Sequence, residues 1–373
     1  MKKILAITGT RADYGIYRPI FDAIGESGQL SPGLIVVGMH LKKTFGHTVD
    51  TIRSDGYPIV AELDTLGAED SPRAMAAYIG HTLSECARVL EREEPDMLLL
   101  LGDRGEQLAG AIAAAELGIS IAHLHGGERS GTVDDAMRNA ITQLASIHFA
   151  SANIHAKNIM RMKGLEGKNS VFVVGAPALD TLVRFSPIPK DRLFAETNFD
   201  SSFPTLIFIQ HPDTLDQLPV EEQLQPSLHA LESFEGNILV LGANADAGGI
   251  RFNKKLRSFS SEGTHRHFVL SLPHMIFLSW AACADVLVGN SSSGIIEMAT
   301  LKLPVVNIGN RQRGRLRSGN VIDVPYDAAA IGKGIHRAMG GSFRKKVCSC
   351  KNAHGDGHAS ERIVRILEQL EKS

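Results

Sequence analysis

The stretch HGGERSGTVDDAMRNAIT, His125 to Thr142, gathers Glu128, Asp134, Asp135 and Arg138 just after an apolar run. Carboxylates crowded at the end of a buried strand suit acid/base chemistry, because burial and like charge let a carboxyl hold a proton near neutrality. In the helix that follows, Asp134 and Asp135 fall in the first turn, and Arg138 lies one turn on, on the side of Asp134. A structural reading has the aspartates favouring the helix dipole and pairing with Arg138, which leaves Glu128 unexplained. Another apolar run ends in GDRGE, so Asp103 stands at a carboxyl strand edge, as a ligand-facing group or as a cap for the next helix. TGTRADYG ends the opening strand with two glycines and puts Arg11 where a helix begins, in a plain βα turn or at an anion. That spacing is not GxGxxG, and Met39 and His40 stand where a dinucleotide fold has its acidic residue.

The second half carries a different chemistry. FIQHPDT ends a strand with His211. VGNSSSGIIE, Val288 to Glu297, runs from a strand into Asn290, Ser291, Ser292, Ser293 and Gly294, with Glu297 in the helix beyond. Backbone N–H groups and hydroxyls in such a turn suit a diphosphate, and Glu297 suits ribose hydroxyls; a capped helix start is the alternative. GNRQRGRLR follows the next strand. Its arginines, Arg313 and Arg315 among them, suit phosphate neutralisation, against a solvated face or a nucleic-acid patch. Cys348, Cys350, His354 and His358 have the composition of a tetrahedral zinc set. No second chelating knuckle flanks them, and the glycine-rich piece reads as a loop, so no metal is expected.

These residues need strands to carry them. Short aliphatic runs alternate with amphipathic stretches, the pattern of βα units around parallel sheets. Strands are expected at Lys3–Thr8, Leu34–Met39, Ile59–Leu63, Met97–Leu101, Ser120–Leu124, His148–Ala150 and Val171–Val174. After a proline-rich linker around Phe185–Pro204 they resume at Thr205–Gln210, Asn237–Leu241, His267–Leu272, Asp285–Gly289 and Pro304–Ile308. Helices are expected at Met75–Arg92, Gln107–Leu117 and Ala359–Lys372. The expected architecture is α/β, with two Rossmann-like domains, 1–184 and 185–357, facing each other across a cleft at the carboxyl ends of their strands. The closing helix, 358–373, is expected to pack back on the first domain.

Composition excludes several classes. The 373 residues suit two domains, and 43% hydrophobic with 21% charged residues is ordinary globular composition. A net charge of −2 offers no basic field to nucleic acid or an anionic membrane. Aromatics make up only 6%, and no RNA-binding motif accompanies the arginines. Arg11 and Asp13 interrupt the first apolar run too early for a secretory signal, and no apolar stretch reaches membrane-spanning length. Four cysteines do not suggest a disulfide framework. A cytoplasmic protein is the expectation.

Taken together, GTRADYG, GDRGE, HGGE…DDAMRNAIT, GNSSSGIIE and GNRQRGR resemble the hydrolysing UDP-N-acetylglucosamine 2-epimerases of bacterial sialic acid synthesis, in that family's order across residues 8 to 315. NAHGDGHAS is similar to the family's loop before the closing helix. Non-hydrolysing cousins typically carry GTRPE and HVEAG, where this chain has Ala12-Asp13 and His125-Gly126-Gly127-Glu128. The resemblance implies the glycosyltransferase-B architecture, a UDP-sugar substrate, no cofactor and a homodimer. It implies elimination of UDP to a 2-acetamidoglucal followed by addition of water, releasing N-acetylmannosamine. Asp103, Glu128, Asp134 and His211 are then the catalytic candidates. The binding candidates are Arg11, Asp135, Arg138, Pro273, Asn290, Ser291, Ser292, Ser293, Gly294, Glu297, Arg313 and Arg315. Relatives acting on UDP-2,4-diacetamido-2,4,6-trideoxyglucose, on the way to legionaminic acid, have nearly the same motifs. A sugar transferase of the same fold is the rival of another reaction class.

Overall fold

The computed structural model describes the chain except for residues 70, 130–133, 165–169, 214–215, 245–247 and 371–373. Residues 130–133 of the acidic motif and the last residues of the expected closing helix therefore lie outside the described residues. The chain forms two compact units: Met1–Glu128 with Val133–Thr181 and His354–Ser373, and Leu182–Ala353 with Arg129–Thr132.

The first unit is built on seven parallel strands: β1 (Lys2–Thr8), β2 (Leu30–Val37), β3 (Ile59–Leu63), β4 (Met97–Leu101), β5 (Ser120–Leu124), β6 (Ile147–Ala150) and β7 (Val171–Val173). Their order in the sheet is β3-β2-β1-β4-β5-β6-β7. Every residue of β4 is buried, as expected of a strand covered on both faces by helices. Strand order reverses between β1 and β4, so the connections leaving their carboxyl ends diverge there. That topological switch point is where such sheets place ligand-contacting residues. Gly9-Thr10-Arg11 and Gly102-Asp103 flank it.

β2 begins four residues before the expected Leu34 and ends at Val37, ahead of the expected Met39. The sequence SPG reads as a turn, yet Ser31, Pro32 and Gly33 pair with Lys3, Ile4 and Leu5 of β1. Pairing with β3 starts only at Leu34, so the N–H that Pro32 lacks is not needed on that side. A Cβ on Gly33 would lie 2.5 Å from Leu5 Cδ2, so only glycine lets the strands close up. Gly38, at φ 62°, then turns the chain into a short 3₁₀ segment that takes in Met39.

The closing helix, Ala359–Gln369, belongs to the first unit and is held at both ends. Asp180 accepts the Ala359 and Ser360 backbone N–H groups at 2.9 and 2.5 Å. Lys2 Nζ donates to the carbonyls of Leu367 and Glu368 at 3.0 and 3.2 Å, and to that of Leu370. Between these caps Ile363, Val364 and Leu367 join the core with Ile20, Phe21 and Ile24 of the helix Arg11–Ser27.

The second unit has six parallel strands: β8 (Thr205–Ile209), β9 (Asn237–Leu241), β10 (Arg266–Val269), β11 (Val286–Gly289), β12 (Val305–Ile308) and β13 (Val321–Val324). Their order is β10-β9-β8-β11-β12-β13, with the reversal between β8 and β11. β13 has no counterpart among the expected strands. It is a four-residue edge strand pairing only with β12, and its Asp323 faces Arg317 rather than apolar neighbours. β10 stops at Val269 rather than Leu272, at the other edge, where nothing pairs beyond it. The expected linker holds a short helix, Lys190–Phe194, because Leu193 and Phe194 have a core to enter. Phe194 stacks on Trp280 with ring centroids 5.5 Å apart.

Asp180→Ala should leave the Ala359 and Ser360 N–H groups without their buried acceptor. The expected cost is about 1–2 kcal/mol of stability, seen as a lower urea midpoint with an unchanged m-value.

Candidate active site

The first unit's site grows from the turns after β1, β4 and β5. After β1 the chain makes a capping box. Asp13 accepts the Gly9 and Thr10 N–H groups at 2.9 and 2.8 Å, while Thr10 Oγ1 accepts the Asp13 N–H at 3.4 Å. Asp13 is thus spent on the backbone, and Arg11 opens the helix half-buried, with desolvation lowering its pKa. A Cβ on Gly9 would lie 2.3 Å from Glu106 Oε1, so the turn admits no side chain. Gln107 clasps the two strands of the switch point, its Nε2 donating to Ile7 O at 2.7 Å and its Oε1 accepting the Leu101 N–H at 3.2 Å.

Arg138 is 1% exposed and gathers the acidic motifs. One of its terminal nitrogens bonds Asp103. The other bonds Asp135 Oδ1 at 2.6 Å and the carbonyl of Glu128 at 3.1 Å. Within the helix the guanidinium is fixed on Asp135, three residues back, one of the two aspartates expected to pair with it. The same guanidinium also reaches Asp103 on the neighbouring strand end. Asp134 sits half-buried in the first turn of the same helix, Asp134–Leu144.

Asp103 is placed by its own turn. Gly102, at φ 73°, gives its N–H to Leu124 O at 3.0 Å. Its carbonyl accepts His123 Nε2–H at 2.8 Å, so the other nitrogen of the neutral ring, Nδ1, takes the Thr142 hydroxyl at 3.1 Å. Burial lowers the His123 pKa to about 4 and that of His148, its cross-strand neighbour on β6, to about 3.

After β5, His125 takes φ 61°, a left-handed conformation that costs a non-glycine residue strain. Gly127, at φ 73°, packs so closely on the helix Asn153–Lys163 that a Cβ would lie 2.3 Å from His155 O. Glu128, 4% exposed, is thereby turned inward. Its Oε1 meets His125 Nδ1 at 2.6 Å and the Ser151 hydroxyl at 2.6 Å, and Ser151 Oγ meets His155 Nδ1 at 2.9 Å. Sequence reading passed over His125, Ser151 and His155. The His-x-x-Glu spacing was visible, but its partner just beyond β6, Ser151, was not.

The second unit repeats the plan at its own switch point. A Cβ on Gly289 would lie 1.8 Å from Ile209 O, so β11 ends against β8 with backbone on backbone. Asn290 then clasps His211, donating to its carbonyl at 2.8 Å and accepting its N–H at 2.7 Å. The Asn244 N–H donates to His211 Nδ1 at 3.1 Å, which puts the proton of the neutral ring on Nε2. Ser291 caps the short helix Ser292–Ile296. Gly294 lies where a Cβ would press on Val305 at 3.0 Å, so it serves packing on β12. Pro273 precedes the helix His274–Cys283, whose His274 Nε2 bonds the buried Glu297 at 2.8 Å. Gln312 donates to Asn290 O at 2.9 Å, fixing the arginine loop to the serine turn. In that loop Arg313 is exposed and Arg315 half-buried, while Arg317 is paired with Asp323 at 3.0 Å.

The structure therefore divides the candidates. Arg11, Asp103, Glu128, Asp134, Asp135 and Arg138 belong to the first unit; His211, Pro273, Asn290–Gly294, Glu297, Arg313 and Arg315 belong to the second. Cys348 is exposed while His354 is fully buried, and among the described residues no three His, Cys, Asp or Glu side chains are grouped to hold a metal. Among them, too, no helix is long and apolar enough to cross a membrane.

Two parallel α/β units, each with its polar residues at a switch point, define the glycosyltransferase-B class of fold. A crystal structure of a UDP-GlcNAc 2-epimerase from Neisseria meningitidis, bound to UDP-GlcNAc, shares it with a TM-score of 0.83 at 18% identity, over 98% of this chain and 99% of that one. The profile of the UDP-N-acetylglucosamine 2-epimerase family matches residues 22–368. A UDP-N,N'-diacetylbacillosamine 2-epimerase (hydrolyzing) from Legionella pneumophila is 38% identical over 99% of this chain and 96% of its own length. The polysialic acid biosynthesis protein P7 of Escherichia coli is 31% identical over 100% of this chain and 95% of its own. The chain belongs to the UDP-N-acetylglucosamine 2-epimerase family, among its hydrolysing members.

Buried neutral histidines make the first unit acid-sensitive. Their folded pKa values lie below the ordinary 6.5, so the unfolded chain binds more protons, and stability is complete above pH 6.5 and lost as pH falls through that value toward about 4 and about 3. Urea unfolding across pH 7 to 4 should show a slope approaching about 1.4 kcal/mol per pH unit for each histidine. His148→Phe should flatten it; an unchanged slope would mean that these rings do not control the transition.

Proposed function

We propose that this protein catalyses the hydrolysing 2-epimerisation of UDP-N-acetylglucosamine, giving UDP and N-acetylmannosamine for sialic acid synthesis. The observation that carries this reading is the buried Arg138, which holds Asp103, Asp135 and the Glu128 backbone at one sheet edge in a chain of this family. A base removes the proton on carbon 2 as UDP departs from carbon 1, leaving a 2-acetamidoglucal. Water then adds to carbon 1 while an acid returns a proton to carbon 2 on the opposite face, which inverts that centre. The carbon-bound proton is weakly acidic, so the step needs an aligned base and strong stabilisation of the leaving diphosphate.

In this reading Asp103, Glu128 and Asp134 supply the proton transfers. Asp135 and Arg138 hold them and the sugar. His211 offers its Nε2–H to the diphosphate, and Arg11, Asn290, Ser291, Ser292, Ser293, Gly294, Arg313 and Arg315 bind phosphate oxygens. Glu297, oriented by His274 beside Pro273, takes the ribose hydroxyls. The reading includes a cytoplasmic homodimer with no cofactor, and neither nucleic acid nor membrane as partner.

A second sugar is favoured by one observation, the 38% identity to a Legionella pneumophila enzyme named for UDP-N,N'-diacetylbacillosamine. On that reading the chemistry is unchanged, and the pocket accepts an acetamido group at carbon 4 and a methyl at carbon 5.

Incubation with each UDP-sugar in deuterated water, followed by NMR, separates these outcomes. UDP release with deuterium at carbon 2 of a free manno-configured sugar is expected, and retention of the original proton would refute elimination. The sugar with the higher kcat/KM is the substrate. Asp103→Asn should lose turnover by 100-fold or more while UDP binding stays nearly intact. Wild-type turnover in that variant would make Asp103 a structural residue.

A further inference from the structure

One buried orphan of the first unit lies among the site residues and belongs to a residue given no chemical role so far. Nε2 of His125 is buried and meets no hydrogen-bond partner among the described residues, while Nδ1 of the same ring is committed to Glu128 at 2.6 Å. The ring is 7% exposed and stands at the carboxyl end of β5, in a backbone conformation that strains a non-glycine residue. A buried nitrogen left unpaired is destabilising, and together with the strained backbone it is a liability that packing alone does not explain. At the carboxyl end of a strand, among the acidic site residues, such a group calls for a partner that the protein itself does not supply.

We propose that His125 and Glu128 form a proton-transfer dyad in which the histidine meets the sugar and the carboxylate acts through it. This rests on the 2-epimerase reading and reassigns one of its groups. Glu128 Oε1 accepts the Ser151 hydroxyl at 2.6 Å as well as His125 Nδ1–H, and His155 Nδ1 lies 3.9 Å away. A carboxylate oxygen so engaged on the protein side is an orienter, as in dyads where an acid fixes the tautomer of an imidazole. With the proton held on Nδ1, Nε2 presents its lone pair. Asp103, at the neighbouring strand end, has one carboxylate oxygen, Oδ2, bonded to the Arg138 guanidinium.

The step assigned to the dyad is the elimination. The C2–H bond breaks and its electron pair becomes the C1–C2 double bond. The C1–O bond breaks with its pair leaving on UDP, and the proton ends on Nε2. The imidazolium so formed is stabilised by Glu128, whose charge Ser151 keeps in place. Ser151 and Glu128 are positioning residues; His125 touches the reacting atom.

Two substrates test this: the UDP-sugar, and the free 2-acetamidoglucal that enters the reaction after elimination. His125→Asn keeps a donor for Glu128 near the Nδ1 position and removes Nε2. It should lower UDP release at least 100-fold, with UDP binding within twofold of wild type and hydration of the glucal within fivefold. Glu128→Gln, which removes the charge that stabilises the imidazolium, should show the same split. Should His125→Asn fail to fold, as its melting curve reveals, His125→Gln and Glu128→Gln decide. UDP release within threefold of wild type in the folded variants overturns the dyad, and so does an equal loss of both activities. Wild-type protein that releases no UDP from either UDP-sugar overturns the functional reading beneath it, a result distinct from an active enzyme that is indifferent to His125.

Discussion

A guanidinium that is 1% exposed cannot stand alone, and the arrangement of the first unit's acidic groups follows from satisfying it. Arg138 takes two carboxylates and a carbonyl from three separate stretches of chain: the turn after β4, the turn after β5 and its own helix. Removing it would leave negative groups facing one another at a sheet edge. With it in place they sit together at fixed separations, which is the condition for one of them to act on a substrate while another stays ionised.

Both units solve one further problem in the same way. Where strand order reverses, adjacent connections part and the backbone at the strand ends loses its regular partners. An amide side chain, carrying both a donor and an acceptor, replaces them. Gln107 does this between β1 and β4, and Asn290 does it between β11 and His211, two residues beyond β8. Each clasp holds open the site of a polar turn: Gly102-Asp103 in the first unit, His211 and the serine turn in the second. Glycines complete these turns where backbone meets backbone, most tightly at Gly289 against Ile209.

Histidines account for much of the remaining polarity beneath the first site. His123 supports the Gly102 carbonyl, His125 binds Glu128, and His155 binds Ser151. A neutral histidine can accept with one nitrogen and donate with the other, as His123 does between the Thr142 hydroxyl and the Gly102 carbonyl. Buried as a neutral ring, His123 ties the fold to a pH at which it remains so.

The sequence by itself determined the class of fold, the family and which residues end strands. Parallel strands covered on both faces must be largely apolar runs, so β4, β5 and β9 were legible to the residue, as was the polar edge where Asp103, Glu128, His211 and Asn290 stand. Helical periodicity likewise exposed Asp134, Asp135 and Arg138 as neighbours. What it left open was every choice that depends on which strand lies beside which. Arg138 pairs with Asp135 and Asp103 because β4 lies next to β5, and Glu128 is locked by Ser151 because β6 follows them in the sheet. β13 and the helix Lys190–Phe194 were missed for a related reason: four or five residues carry too little pattern, and neighbours at a sheet edge or around Trp280 decide their state. Spacing along a chain reports contacts within a turn or a strand; only tertiary structure brings residues far apart in sequence within the roughly 3 Å at which hydrogen bonds choose their partners.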